Sequence, residues 1–183
     1  VLGMVIVLLA VLAWRRREMP AQPYGLSIAT VVMVIFQALL GMWTVTLLLK
    51  PLVVLLHLFG GFTILACLWW QTLRFGQLWT VPADRFHVNE LRRFRPFVLG
   101  AFAILIAQIS LGGWTSSNYA ALACPDFPTC HGRWWPAVDF QEAFVLWRGI
   151  GTDYEGGVLA GDARVAIHLT HRVGAVVTFL YIG

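Results

Sequence analysis

Gln37-Ala-Leu-Leu-Gly41-Met-Trp43-Thr44 returns later in the chain as Gln108-Ile-Ser-Leu-Gly112-Gly-Trp114-Thr115, with Gln, Leu, Gly, Trp and Thr at matching places. Each copy closes an uncharged run long enough to cross a bilayer. Across a loop from each copy lies another apolar segment carrying His-x-x-Gly, first as His57-Leu-Phe-Gly60 and then as His171-Arg-Val-Gly174. A helix pair that occurs twice, with one histidine per pair, is the pattern of a duplicated binding unit. The reading is an all-α integral membrane protein, a transmembrane helix bundle with internal duplication.

Composition points the same way. The 183 residues are 59% hydrophobic and 12% charged, with a mean hydropathy of +0.75, whereas about a quarter of a soluble domain is charged. The intervals between Glu18 and Lys50, Lys50 and Arg74, and Arg95 and Asp126 carry no charge. Each reaches the roughly 20 residues that a helix needs to span a bilayer. Complete spans are expected near 24–49, 51–73 and 96–115. The runs 1–14 and 165–183 read as parts of longer helices, giving five helices with the outer two incomplete. The opening run has neither a basic region nor a small-residue cleavage site, so it does not read as a signal peptide.

Positive charge near helix ends stays cytoplasmic, and here it is uneven. Arg15, Arg16, Arg17, Arg74, Arg85, Arg92, Arg93 and Arg95 fall on connections of one side; Lys50, Arg133, Arg148 and Arg164 fall on the other. Connections 15–23 and 74–95 are therefore expected in the cytoplasm and loop 116–164 outside. This bias explains most of the net charge of +4, so the expected partner is the lipid bilayer and no nucleic acid. Loops longer than about 12–15 residues are functional or disordered. The outer loop contains Trp134, Trp135 and a Gly-rich acidic stretch over 149–162, and its aromatics argue for an ordered cap.

Histidines act at one level of a membrane only if their depths match. His57 lies six residues past Pro51 and His171 six past Val165, so each is expected about 9 Å below the outer boundary at 1.5 Å per residue. Ionisable groups inside a membrane are expensive and usually functional. Neutral imidazole is a standard haem ligand, so His57 and His171 are candidate axial ligands; the competing reading is a structural hydrogen bond between helices. His168, one turn before His171, is a candidate for a haem-edge hydrogen bond or a proton relay, or an interfacial polar residue. Arg172 is a candidate partner for a haem propionate, or a snorkelling cation. Cys124 and Cys130 face an oxidising compartment on this topology, which favours a disulfide, acting as a staple or as a redox relay. Cys67 reads as a packing residue, His87 as solvated, and His131 as a weak metal candidate because Cys-x5-Cys-His is not a standard zinc spacing.

The combination of Leu111-Gly-Gly-Trp-Thr115, Cys124-Pro-Asp-Phe-Pro-Thr-Cys130-His-Gly, Ile167-His-Leu-Thr-His171-Arg172, Gln37-x-x-x-Gly41 and His57-Leu resembles the haem A synthases. The resemblance runs from about Tyr24 to the end of the chain. It implies an eight-helix protein of two similar four-helix halves, of which this chain would carry part of helix two through part of helix six. On that template 1–73 ends the first half, 74–95 connects, and 96–183 begins the second half. His57 would ligate haem in the first half, where haem O is oxidised at a methyl group to haem A. His171 would ligate haem b in the second, each histidine with its partner outside this sequence. The family's catalytic glutamate would precede Val1. The corresponding slot of the second half holds His168, which does not inherit the acid's role, so no catalytic residue is assigned and a fragment of these bounds is expected to be inactive. The resemblance further implies a multi-pass protein of the bacterial inner membrane, a haem O-supplying farnesyltransferase as partner, an electron acceptor that the residues do not identify, and room for a homo-oligomer.

Two other classes fit parts of the pattern. A quinone-linked thiol oxidase needs a reactive, exposed cysteine pair and no paired histidines. A dihaem electron carrier, with His57 and His171 even sharing one haem, would show reversible haem spectra without converting haem O.

Overall fold

A computed structural model describes residues 1–18, 24–75 and 85–183, with side chains excluded for 85–90. Within them run α1 (Leu2–Arg15), α2 (Tyr24–Thr46), α3 (Pro51–Phe75), α4 (Arg85–Ser117), the single turn α5 (Phe140–Ala143) and α6 (Gly161–Ile182). The molecule is an all-α helix bundle, and no strand occurs among the described residues. Parts of the connections 15–23 and 74–95, and the His87 side chain, lie outside the described residues.

Among the described residues, four helices are long and apolar enough to span a membrane: Tyr24–Thr46, Pro51–Phe75, Leu91–Ser117 and Gly161–Ile182. At most 17% of the most apolar stretch of any of them is buried. Val32, Leu65, Phe102 and Phe179 are among the large apolar side chains left exposed. Such surface is stable only against lipid or other apolar helices. The chain is a multi-pass membrane protein.

The helix ends correct several expectations. The last span begins at Gly161, four residues before Val165, and runs unbroken to Ile182, so these 22 residues are already long enough to cross a membrane. Residues 85–95, expected as connection, are helical and run through Pro96 into α4. At the other end of the first span, α2 stops at Thr46, and Leu48 and Leu49 take left-handed backbone (φ 53° and 57°). That conformation costs roughly 1–2 kcal/mol per residue with a Cβ. Pro51, whose missing N–H is no loss in a first turn, then starts α3.

Contacts divide the chain into two compact units, Val1–Trp43 with Leu56–Ala83, and Thr44–Leu55 with Asp84–Gly183. In the first, Ile6, Ala10 and Ala13 form the buried face of α1. A polar clasp joins α2 to α3: Ser27 Oγ donates to Gln71 Oε1 (2.9 Å) and Gln71 Nε2 donates to Thr30 Oγ1 (2.8 Å). All three residues are buried and these groups are paired, the condition under which an interhelical polar contact stabilises.

In the second unit α6 packs on α4 and α5. Trp114, Ala120, Ala143, Leu159, Ala163, Ala166 and Ile167 form its core. Small alanines let α6 approach closely, and Trp114 Nε1 donates to the Ala143 carbonyl at 2.9 Å, satisfying the one polar group of its ring. The same core orders the 118–160 segment as a cap. Trp134 and Trp135 are exposed, so the aromatics credited with ordering this loop do not form its core. Lys50, 3% exposed, donates from Nζ to the Gly149 carbonyl at 2.6 Å and stands over the Trp147 ring. Tyr154 N–H donates to Leu48 O at 3.1 Å. These bonds hold the left-handed turn against its strain.

Candidate functional site

Each histidine of the repeat faces the glycine of its own copy. A Cβ at Gly41 would lie 3.2 Å from His57 Cε1, and one at Gly112 would lie 3.2 Å from His171 Cε1. In both units, therefore, the imidazole edge sits over bare backbone. The expected match of depth needs restating. His57 is six residues beyond the start of α3 but His171 is ten beyond the start of α6, about 9 Å and about 15 Å along the helix. The shared level is the glycine of the preceding helix, because the second copy carries an extra turn before its histidine.

The repeated glutamine completes each arrangement. Gln37 Nε2 donates to the His57 carbonyl. Gln108 Nε2 lies 3.2 Å from the His171 carbonyl and 3.1 Å from His171 Nδ1. The amide oxygens rest over Gly60 and Gly174, where any Cβ would collide with them. Gln37 Oε1, Gln108 Oε1 and His57 Nδ1 are buried with no hydrogen-bond partner among the described residues. Sequence reasoning missed the role of the glutamines although the repeat contained them: their contacts depend on glycines three residues beyond each histidine, on another helix.

Beside His171 the cap is fastened to α6. Arg172 Nη1 donates to Thr129 O (3.0 Å), and Nη2 donates to Cys124 O (3.1 Å) and Asp126 O (2.9 Å). The guanidinium that was a candidate for a propionate is thus engaged by three carbonyls of the loop. Cys124 and Cys130 form a disulfide, and both are buried, unlike the exposed pair that a thiol oxidase requires. Asp126 closes the loop from inside, accepting from His131 N–H (2.6 Å), Gly132 N–H (3.0 Å) and the Thr129 hydroxyl. The Thr129 hydroxyl first, then the Gly132 N–H, with a lesser contribution from the His131 N–H, lower its pKa from 3.8 to about 2 against an opposing effect of burial. His168 Nδ1 is 2.9 Å from Ala120 O, and His131 Nε2 is 2.9 Å from Ala123 O; both rings tie helix or loop to backbone. No group of three or more His, Cys, Asp or Glu side chains converges on a metal-sized site among the described residues. Cys67 is free and half-buried.

The model for the family described as COX15-CtaA, cytochrome oxidase assembly protein, matches residues 1–183. The chain belongs to the COX15-CtaA family. Family relatives include a protein named heme A synthase from Shewanella oneidensis, 42% identical over 159 residues, covering 87% of this chain and 47% of that protein. Proteins of the same name from Halalkalibacterium halodurans (30% identical; 75% of this chain, 45% of that protein) and Shouchella clausii (28% identical; 78% and 47%) also match. The chain spans about half the length of these curated relatives. No solved structure matches it significantly.

The residues present fit a haem. Haem needs an imidazole with a free nitrogen, a flat approach, and apolar walls. Each unit of this COX15-CtaA chain supplies a half-buried histidine on an apolar helix, beside a glycine whose missing side chain makes room for the imidazole edge. The unpartnered Nδ1 of His57 is the kind of buried polar atom that a native protein leaves for a ligand.

Proposed function

We propose that this chain is part of a membrane haem A synthase, an oxidoreductase that converts a methyl group of haem O to the formyl group of haem A for cytochrome oxidase assembly. The observation that carries the reading is the duplicated Gln–Gly–His arrangement, joined to membership of the COX15-CtaA family. His57 is the ligand for haem in the half around 1–73, where haem O is substrate and haem A product. His171 is the ligand for haem b in the half that begins at 96. A bound haem iron would supply the oxidising power for the methyl group, chemistry that belongs to the cofactor.

The chain's own residues bind, orient and exclude water. Imidazoles on α3 and α6 would hold the iron, and Gly41 and Gly112 give those imidazoles room against the preceding helix. The lipid-facing spans keep the surroundings apolar, where a substrate with a long hydrocarbon tail partitions. Arg172 holds the disulfide loop against α6 beside His171, and His168 ties the same helix to Ala120; both are positioning residues. The Cys124–Cys130 disulfide serves as a staple. Loop 116–164 lies on the outer side of a bacterial inner membrane, with 15–23 and 74–95 in the cytoplasm, following the arginine bias. The enzyme that attaches the farnesyl tail to haem is the natural supplier of substrate.

The test is conversion. Membranes containing the intact protein are given haem O, and the haems are then extracted and separated chromatographically. Haem A should accumulate. Reversible oxidation and reduction of bound haem without haem A would contradict the reading and identify an electron carrier.

A further inference from the structure

Leu122, Phe127, Trp134 and Trp135 are 90, 82, 76 and 79% exposed, although they project from a tightly built segment. Cys124 and Cys130 are buried with Val165, and Leu169 packs against them. Much of the loop's backbone polarity is used internally. Arg172 binds the carbonyls of Cys124, Asp126 and Thr129, and Asp126 receives the N–H groups of His131 and Gly132. Cys130 and Arg133 each donate N–H to the other's carbonyl, and Pro125 and Pro128 have no N–H to satisfy. A loop with its polar backbone turned in and its large apolar side chains turned out is the reverse of a water-facing one. Non-helical backbone is tolerated at membrane depth only where its polar groups are met within the protein or by water.

The loop's place follows from α6. Val165, Leu169, Arg172, Val176 and Leu180 succeed one another at intervals of three or four residues, so they form one stripe of the helix. The loop covers the first part of that stripe, packing on Val165 and Leu169 and fastened by Arg172. Val176 and Leu180, farther along, are 56 and 76% exposed and belong to the apolar surface of the span. Arg172 is eleven residues beyond Gly161, about 16 Å along the axis. The loop therefore runs alongside the first turns of a spanning helix, continuous with its bare apolar stripe. Phe127 lies at the same level, its ring centroid 5.5 Å from the Arg172 guanidinium carbon.

The charges suit a lipid headgroup layer. Tryptophan concentrates at membrane interfaces, where its ring is apolar and its N–H stays wet. Arg133, beside the tryptophan pair, is exposed and makes no ion pair among the described residues, which leaves its guanidinium for a phosphate. Asp126 is the only acid between Ser116 and Val138, and its carboxylate is taken up by the loop's own donors, so little opposes an anionic surface. A protein partner would need a socket for each projecting side chain, whereas a fluid bilayer needs none. We infer that segment 122–135 is an interfacial anchor: Leu122, Phe127, Trp134 and Trp135 enter the leaflet on the cap's side, and Arg133 meets lipid phosphate. The anchor depends on the membrane spans and on no haem chemistry.

The test uses the intact protein in vesicles of phosphatidylethanolamine and phosphatidylglycerol, with other free cysteines replaced. Nitroxide labels are attached singly through Phe127→Cys, Trp134→Cys and Trp135→Cys, with the exposed Glu155→Cys as the water-facing reference. Labels at 127, 134 and 135 should collide several-fold more with oxygen, which concentrates in lipid, than with a water-soluble nickel chelate, and the label at 155 should do the opposite. A preference for the chelate at 127 and 134 would put the loop in water and overturn the anchor. Labels immobilised and reached by neither reagent would overturn it too, since protein would then cover the segment. If the labelled variants do not assemble, Trp134→Phe combined with Trp135→Phe carries the test. That change should remove fluorescence that lipid brominated high on its acyl chains quenches, and loss of unquenched fluorescence alone would overturn the anchor.

Discussion

Asp126 shows how one side chain can organise a loop. Its carboxylate receives two backbone N–H groups and a hydroxyl, while Arg172 gathers the carbonyls of the same loop; together they satisfy groups that a tight, disulfide-closed turn would otherwise leave unpaired. The carboxyl's pKa in the folded protein, about 2, lies below its ordinary 3.8. Its contribution to stability is therefore complete above pH 4 and is lost as pH falls toward 2. Amide hydrogen exchange at His131 and Gly132 should accelerate over that window in the wild type. In Asp126→Asn it should be fast throughout, with no step between pH 4 and 2; a step of equal size would contradict the assignment.

At the scale of elements, the cap is held by contacts between segments far apart in sequence. Lys50 reaches Gly149 and Trp147, and Leu48 accepts from Tyr154. Lys50→Met keeps the apolar stem but orphans the Gly149 carbonyl, at a cost of about 1–3 kcal/mol. Limited proteolysis should then cut the 149–157 segment faster than in the wild type, and equal rates would show that the lysine does not hold it. Replacing Cys124 and Cys130 together with serine should lower thermal stability while most turnover survives in the folded fraction. Abolished turnover in a well-folded double variant would instead make the pair a redox relay.

The spans were legible in the sequence because charge-free length is a local property, and so was the repeat, which is a matter of residue identity. The start of α6 at Gly161 was not, since residues 161–164 include Asp162 and Arg164 and read as loop by charge. Their helix is stabilised by burial of Ala163 against the cap core, a tertiary fact. The Arg172 contacts were illegible for the same reason: an arginine next to a candidate ligand histidine reads equally well as an anion partner or as a clamp, and only the fold brings Thr129 and Cys124 to it. Trp43 and Trp114 occupy the same place in the repeat, yet the first is exposed and the second buried, because the cap covers the second.

For the whole molecule, the arginine bias implies a sidedness that the helices alone do not have. Glu155→Cys should react with a membrane-impermeant thiol reagent in intact cells, and Arg15→Cys only after lysis; the reverse pattern would invert the topology. The duplicated unit makes the stronger claim, that one chain carries ligands for two haems rather than two ligands for one. The most direct measurement is the haem content and absorption spectrum of the intact protein with His57→Ala and with His171→Ala, each made alone. Each variant should lose or alter one haem population while leaving the other spectrally intact. Unchanged haem in both variants would contradict the account.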